Sequence, residues 1–179
     1  MQVRFLIFVA MIAVAVSAQD FPPGSRAPSV AYFPPEIKSV YRGHPGVVEL
    51  QFRIASGFHI NSNQPKQEYL KKTELKLDAP TDIAVVKVKY PAGEDRSFTF
   101  DPNEKLNVYS GDFAVDVTVR PLKTVLPAKY AVHGTLKYQA CDNAACYPPK
   151  QMPISFEIKV SKDPAVRKRN PAQSPHAHR

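Results

Sequence analysis

Tryptophan is absent from this chain of 179 residues, and only two cysteines are present. Antibody-type immunoglobulin domains pack a buried tryptophan against a disulfide that joins distant strands, so the sequence excludes that arrangement. No Cys-x-x-Cys motif occurs, which excludes thioredoxin-type redox chemistry. No Ser-His-Asp constellation, phosphate-binding loop or pair of catalytic carboxylates stands out either. The sequence therefore lacks the common enzymatic arrangements.

Long apolar runs are also lacking, with one exception near the N-terminus, from Phe5 to Val16. This run is about 12 residues long and too short to span a bilayer comfortably. Small residues precede Gln19, so residues 1–18 are predicted to be a secretory signal peptide cut after Ala18. A retained N-terminal anchor is the alternative. Export would place the cysteines in an oxidising compartment, where a disulfide persists.

The basic charge is not arranged as in a nucleic-acid-binding protein. Much of the formal net charge of +8 lies in residues 161–179, which are predicted to be a basic disordered tail. The rest of the mature chain has no basic stripe with interleaved aromatic residues, so nucleic acid is not an expected partner. No residues have metal-site spacing, and a copper site of the cysteines with His59 and Met152 has little support. No cofactor is expected.

Apolar and polar residues alternate through much of the chain, which is typical of strands with one buried face. The clearest alternation lies in residues 47–54, 113–120, 129–138 and 152–160, with shorter segments at 73–77 and 83–90. The 18 prolines discourage helices. We therefore predict an all-β fold, an immunoglobulin-like antiparallel β-sandwich over residues 28–160, preceded by a flexible segment at 19–27.

Two segments are predicted to be connections rather than strands. Residues 61–72 are polar, and residues 91–107 are interpreted as a long loop. A loop of this length in a compact domain is usually functional or disordered. It contains Phe98 and Phe100, which a merely solvated loop would not need. Either these rings pack into the edge of the sandwich, or they have a function in the loop.

Cys141 and Cys146 lie between the last two predicted strands and flank a hairpin tip, close enough to form a disulfide. A ring of six residues stabilises a fold by roughly 2 kcal/mol, and a long loop by about twice as much. A tight ring at an exposed tip suits exchange, because an attacking thiolate must reach one sulfur in line. Tyr138 and Tyr147, with the prolines that follow, would form an apolar collar around it. A purely structural staple is the alternative.

Four segments together resemble one known family. They are "GFHINSNQP" (57–65), "TELKL" (73–77), "YPAGEDRSFTF" with "LNVYSGDFAVDVTV" (within 90–119) and "YQACDNAACYPP" (138–149). The chain is similar to the N-terminal periplasmic domain family of the thiol:disulfide interchange protein DsbD, and the last segment is the most specific. The resemblance implies an immunoglobulin-like sandwich in the periplasm. Its cysteine pair would shuttle electrons from a membrane-linked reducing system to disulfide isomerases and the thioredoxins of cytochrome c maturation.

The resemblance also implies roles for individual residues. Cys146 matches the cysteine that forms mixed disulfides with partners, and Cys141 matches the resolving one. The family has a cap loop whose aromatic ring covers the disulfide, and here Phe98 and Phe100 are the candidates by position. His59 falls where the family often has an aromatic residue near the active site.

Partners follow from the same resemblance. The full family protein continues into a membrane domain and a thioredoxin-like domain, whereas this sequence ends in the basic tail. We therefore expect a separate membrane electron donor, and periplasmic thioredoxin-like proteins or disulfide isomerases as acceptors. The expected activity is protein-disulfide reduction, with no small-molecule substrate. The alternative function is a secreted β-sandwich binding module whose disulfide only stiffens a hairpin.

Overall fold

The computed structural model describes residues 30–99 and 101–163, in which all regular structure is β-strand. The predicted signal peptide (1–18), the predicted flexible segment (19–27), Phe100 and most of the predicted tail lie outside the described residues. The last strand extends to Ser161, one residue into the segment predicted to be the tail.

Twelve strands form three four-stranded sheets in the described part of the chain. In chain order the strands are β1 (Val30–Phe33), β2 (Lys38–Tyr41), β3 (Gly46–Ile54), β4 (His59–Asn61), β5 (Glu74–Asp78), β6 (Ile83–Lys89), β7 (Glu94–Phe98), β8 (Asp101–Tyr109), β9 (Asp112–Pro121), β10 (Lys129–Tyr138), β11 (Ala140–Cys141) and β12 (Lys150–Ser161).

The strand order is β1-β3-β9-β6 in the first sheet, β2-β12-β10-β5 in the second and β11-β4-β8-β7 in the third. The pairing of β2 with β12 is parallel, and the other strand pairs are antiparallel. The first two sheets contribute their inner faces to one core. The predicted all-β, immunoglobulin-like sandwich is thereby confirmed.

The core explains why four strands could be predicted from alternation. In β3, β9, β10 and β12 the buried residues recur at every second or fourth position, because successive side chains of a strand leave opposite faces. Full burial of each aliphatic side chain contributes about 1.5–3 kcal/mol relative to exposure. The fully buried set includes Leu50, Val115, Val117, Val132, Leu136 and Ile158.

The prediction of a long loop at residues 91–107 was wrong. This segment contains β7 and most of β8, which pair as an antiparallel hairpin. Strand β7 is exposed along almost its whole length and therefore shows no apolar alternation in the sequence. Polar contacts hold it instead: Lys66 Nζ lies 2.5 Å from Asp95 Oδ2, and Asn107 Nδ2 donates to Asp95 Oδ1 over 2.8 Å.

The polar connection predicted at 61–72 begins with the last residue of β4 and is partly buried. Asn61 and Ser62 are inaccessible to solvent, as is Thr73 just beyond the segment. The hydroxyl of Thr73 donates to the carbonyl of Asn61 over 2.5 Å, and Asn61 Nδ2 donates to the carbonyl of Lys71 over 3.0 Å. These bonds fix β4 and hence the third sheet, which carries the cysteines.

Candidate functional site at the cysteine pair

The two cysteines form a disulfide, with Sγ atoms 2.03 Å apart and Cα atoms 3.9 Å apart. The backbones of the two cysteines also pair in an antiparallel manner, outside the strand ladders. Cys141 is the last residue of β11 and is fully buried, whereas Cys146 is exposed. The expected bridge is therefore present, and its two halves differ sharply in their access to a partner.

The turn between the cysteines is held by Asp142. Its Oδ1 accepts the backbone N–H groups of Ala144 and Ala145 over 2.8 and 2.9 Å, and its own N–H donates to the carbonyl of Ala145 over 2.9 Å. Its Oδ2 accepts the hydroxyl of Tyr147, whose backbone N–H donates to Ala140 over 2.8 Å. Aspartate commonly closes turns in this way. None of these bonds involves sulfur, so they remain available when the disulfide is reduced.

Strands β4 and β11 pair in an antiparallel register that places His59 directly opposite Cys141. Opposite residues of an antiparallel pair project from the same face, with Cβ atoms roughly 5 Å apart. His59 is only 3% exposed, and its Nε2 is buried with no hydrogen-bond partner in the described part of the chain. Burial, and to a smaller extent Arg96, lower the pKa of His59 to about 4, while Asp142 acts in the opposite direction. The imidazole is therefore neutral at pH 7.

The tip of the β7–β8 hairpin covers this histidine. The ring of Phe98, at the end of β7, stacks on the ring of His59 with centroids 3.9 Å apart and planes 14° from parallel. The hydroxyl of the next residue, Thr99, donates to the carbonyl of Asn143 over 2.5 Å. An irregular register between Arg96 and Phe98 bends the hairpin, as bulges do. The predicted cap residue Phe98 thus lies beside the cysteine loop, while Phe100 falls outside the described residues.

The two tyrosines of the predicted collar lie in different environments. Tyr147 is half-buried at the surface, where its ring packs at 53° against Phe58 with centroids 5.9 Å apart. Tyr138 is 3% exposed and belongs to the core of the sandwich. Phe58 is not among the site residues predicted from the sequence, although it directly precedes His59 in one of the segments that carry the family resemblance.

A cleft of about 650 Å³ opens beside the stacked pair. Its walls include Phe58, His59, Phe98 and Asn143, and on the far side Arg53, paired with Asp112 over 2.7 Å. Within residues 30–99 and 101–163 there is no cluster of three His, Cys, Asp or Glu side chains suited to a metal ion. The same residues contain no helix long and apolar enough to cross a membrane.

Fold and site together define an immunoglobulin-like sandwich that carries one local disulfide at the end of its third sheet. The family described as "Thiol:disulfide interchange protein DsbD, N-terminal" matches residues 28–157. The chain therefore belongs to the DsbD N-terminal domain family, which confirms the resemblance seen in the sequence.

Solved structures with a similar fold include two from Neisseria meningitidis. The reduced DsbD N-terminal domain is 22% identical, with a TM-score of 0.40, over 61% of this chain and 79% of that one. The complex of the DsbD and PilB N-terminal domains is 21% identical, with a TM-score of 0.39, over 61% of this chain and 73% of that one. A type I cohesin from Pseudobacteroides cellulosolvens is 11% identical, with a TM-score of 0.44, over 74% of this chain and 92% of that one. At these identities the likeness concerns fold alone. No curated protein matches the chain.

The lowered pKa of His59 predicts a pH-dependent stability. Between its unfolded pKa of 6.5 and its folded pKa of about 4, the unfolded chain takes up a proton that the folded chain does not. Stability is therefore full above pH 6.5 and falls as the pH drops, by about 3 kcal/mol at pH 4 from this group. The free energy of unfolding is measured by urea denaturation of the oxidised wild type and of His59→Phe at several pH values.

Asp95 and Asp112, whose pKa values are also lowered, are present in both chains, so the difference between the two chains isolates His59. Parallel loss of stability in the wild type and in His59→Phe would contradict the prediction.

Proposed function

We propose that this chain is an exported, periplasmic thiol–disulfide exchange module that passes reducing equivalents to partner proteins through Cys141 and Cys146. The observation that carries the proposal is the unequal exposure of the pair, with one cysteine accessible and the other fully buried in a small ring. Membership of the DsbD N-terminal family supports both the activity and the compartment. The predicted signal peptide at residues 1–18 supports export.

The proposed reaction starts from the reduced pair. The thiolate of Cys146 attacks a disulfide of the partner, that disulfide breaks, and one partner sulfur leaves as a thiolate. Cys141 then attacks the Sγ of Cys146 in the mixed disulfide and releases the second partner sulfur. Two electrons have moved to the partner, which is now a dithiol, and the Cys141–Cys146 disulfide remains. A separate membrane donor would reduce it again.

The partner is proposed to be a periplasmic thioredoxin-like protein or a disulfide isomerase. A family member from Neisseria meningitidis has been solved in complex with the PilB N-terminal domain, which supports a protein rather than a small molecule as the partner. The cleft beside Phe98 could receive an extended segment of such a partner, and Tyr147 and Phe58 offer aromatic surface near the accessible sulfur.

The reduction potential of the pair separates this function from that of a binding module with a structural disulfide. Exchange proteins have potentials of about −120 to −270 mV, whereas structural disulfides lie below about −300 mV. We expect a value in the first range, measured by equilibration with glutathione or dithiothreitol redox buffers. A potential below about −300 mV, in the range of structural disulfides, would favour the binding module.

The exposure of Cys146 predicts which cysteine reacts with partners. Cys141→Ala should accumulate mixed disulfides through Cys146, because no resolving thiol remains, whereas Cys146→Ala should accumulate few, because Cys141 is buried. Both are measured on non-reducing gels after incubation with an oxidised thioredoxin-like protein. The double variant is the control, and equal trapping by the two single variants would refute the assignment.

We further propose that Phe98 is a cap that covers the buried side of the disulfide, at His59 and Cys141, between encounters with partners. An aromatic ring covers much surface with few torsions to order. The stack on His59 and the bond from Thr99 to Asn143 support the closed position of the cap. A reduced pair that stayed open would be lost to oxidants, since susceptibility follows exposure and thiolate character.

Removal of this ring is expected to expose the disulfide to small thiols. Phe98→Ala should keep the fold and speed reduction by dithiothreitol several-fold. Phe33→Ala removes a 44% exposed ring from β1, in a different sheet, and is the matched control. An unchanged reduction rate together with a melting temperature several degrees lower would show that Phe98 is a packing residue and not a cap.

A further inference from the structure

The role of Phe98 as a cap does not explain why a nitrogen atom of His59 is buried beneath it. The side chain is 3% exposed, and its Nε2 has no hydrogen-bond partner in the described residues. Leaving a buried polar atom unpaired is unfavourable, and such atoms in folded proteins call for a specific explanation. A phenylalanine at this position could stack on Phe98 without that penalty. The nitrogen is therefore expected to have a function that the oxidised state does not display.

The reaction proposed above creates a need for a base at this place. Cys141 must attack as a thiolate, yet it is fully buried, and burial in apolar surroundings raises the pKa of a thiol. The neighbouring carboxylate of Asp142 disfavours a second negative charge there. That carboxylate already accepts hydrogen bonds from the turn and from Tyr147, so it is poorly placed to take a proton.

We propose that His59 accepts the proton of the Cys141 thiol when Cys141 resolves the mixed disulfide, an inference that rests on the function proposed above. The two residues are opposite each other in the β4–β11 register and project from the same face. As the S–H bond of Cys141 breaks, an N–H bond forms on His59. The new bond joins the Sγ atoms of Cys141 and Cys146, and the partner sulfur leaves with its electron pair. The partner thiolate then takes up the proton, which returns His59 to its neutral form.

The surroundings of the imidazole suit this task. The charged groups that influence it are Arg96 on β7 and Asp142 on the cysteine loop, which act in opposite directions. Burial keeps His59 neutral in the oxidised protein, so its nitrogen carries no extra proton at neutral pH, and the same burial opposes protonation until a negative charge forms beside it. A thiolate forming on Cys141 would add a negative charge beside it and favour the imidazolium. The parallel ring of Phe98 fixes the plane of the imidazole and therefore the direction of its nitrogens.

The two sulfur steps can be followed separately with the aromatic disulfide DTNB. When the reduced full-length protein is mixed with DTNB, attack by Cys146 releases one thionitrobenzoate, and closure by Cys141 releases the second. Stopped-flow absorbance resolves the two releases. Wild type, His59→Phe, His59→Gln and, as a matched control, His133→Phe at an exposed histidine of β10 are compared across pH.

In both His59 variants we expect the first release to be unchanged and the second to slow by about 100-fold, in the range of general acid–base catalysis. The residual second rate should rise about tenfold per pH unit, since thiol ionisation by solvent then limits closure. His133→Phe should behave as wild type. Circular dichroism confirms folding, and His59→Gln serves if His59→Phe proves unstable.

Three results would overturn the inference. Equal slowing of both releases would indicate a structural role. An unchanged second release in both variants would remove His59 from the reaction. Recovery of the second rate by His59→Gln would indicate hydrogen bonding rather than proton transfer. If wild type released only one thionitrobenzoate per chain, the pair would not close, and the proposed function itself would fail before any variant was compared.

Discussion

The pairing of β11 with β4 is the constraint on which the site depends. Strand β11, only two residues long, places Cys141 opposite His59, and Cys141 is buried there. The turn that follows carries Cys146 to the surface. So short a ladder needs support from polar contacts. The backbone N–H of Asn61 donates to the carbonyl of Gln139 over 3.4 Å, and Gln139 Nε2 donates to the carbonyl of Tyr147 over 3.2 Å. The asymmetry of the two sulfurs is therefore a property of the backbone and does not require the disulfide to be closed.

Two parts of the molecule differ in how firmly they are held. The sandwich core joins strands distant in sequence through many buried aliphatic residues, whereas β7 is exposed and its tip meets the cysteine loop through contacts that include a ring stack and a hydrogen bond. An aromatic pair contributes about 0.5–1.5 kcal/mol and a hydrogen bond about 1 kcal/mol. Their sum is small beside the roughly 5–15 kcal/mol that stabilise a domain. Exposed segments with few buried apolar contacts are the ones that open locally without global unfolding, and β7 is exposed along most of its length.

Local patterns in the sequence predicted the parts of the fold that have one buried face. Strands β3, β9, β10 and β12 alternate because one side of each packs in the core. Strand β7 escaped prediction because its residues are mostly exposed, and β4 and β11 because two or three residues cannot display a period. The disulfide followed from proximity along the chain, and Phe98 from its oddity in a polar segment. The approach of His59 to Cys141 joins positions far apart in sequence, and no local pattern encodes it.

The electrostatics of the site follow from the same turn. Asp142 closes the turn with its carboxylate and so places a negative charge beside Cys141, where the proposed exchange requires a thiolate. Left alone, this charge would disfavour the resolving step and prolong the mixed disulfide. The base that we propose on the opposite strand would offset the penalty without altering the turn, and an imidazole can fill this role while its flat ring stacks on Phe98. In the proposed exchange, the aspartate that builds the loop and the histidine on the opposite strand act as a pair: Asp142 sets the geometry of the cysteine turn, and His59 restores the reactivity of the buried Cys141.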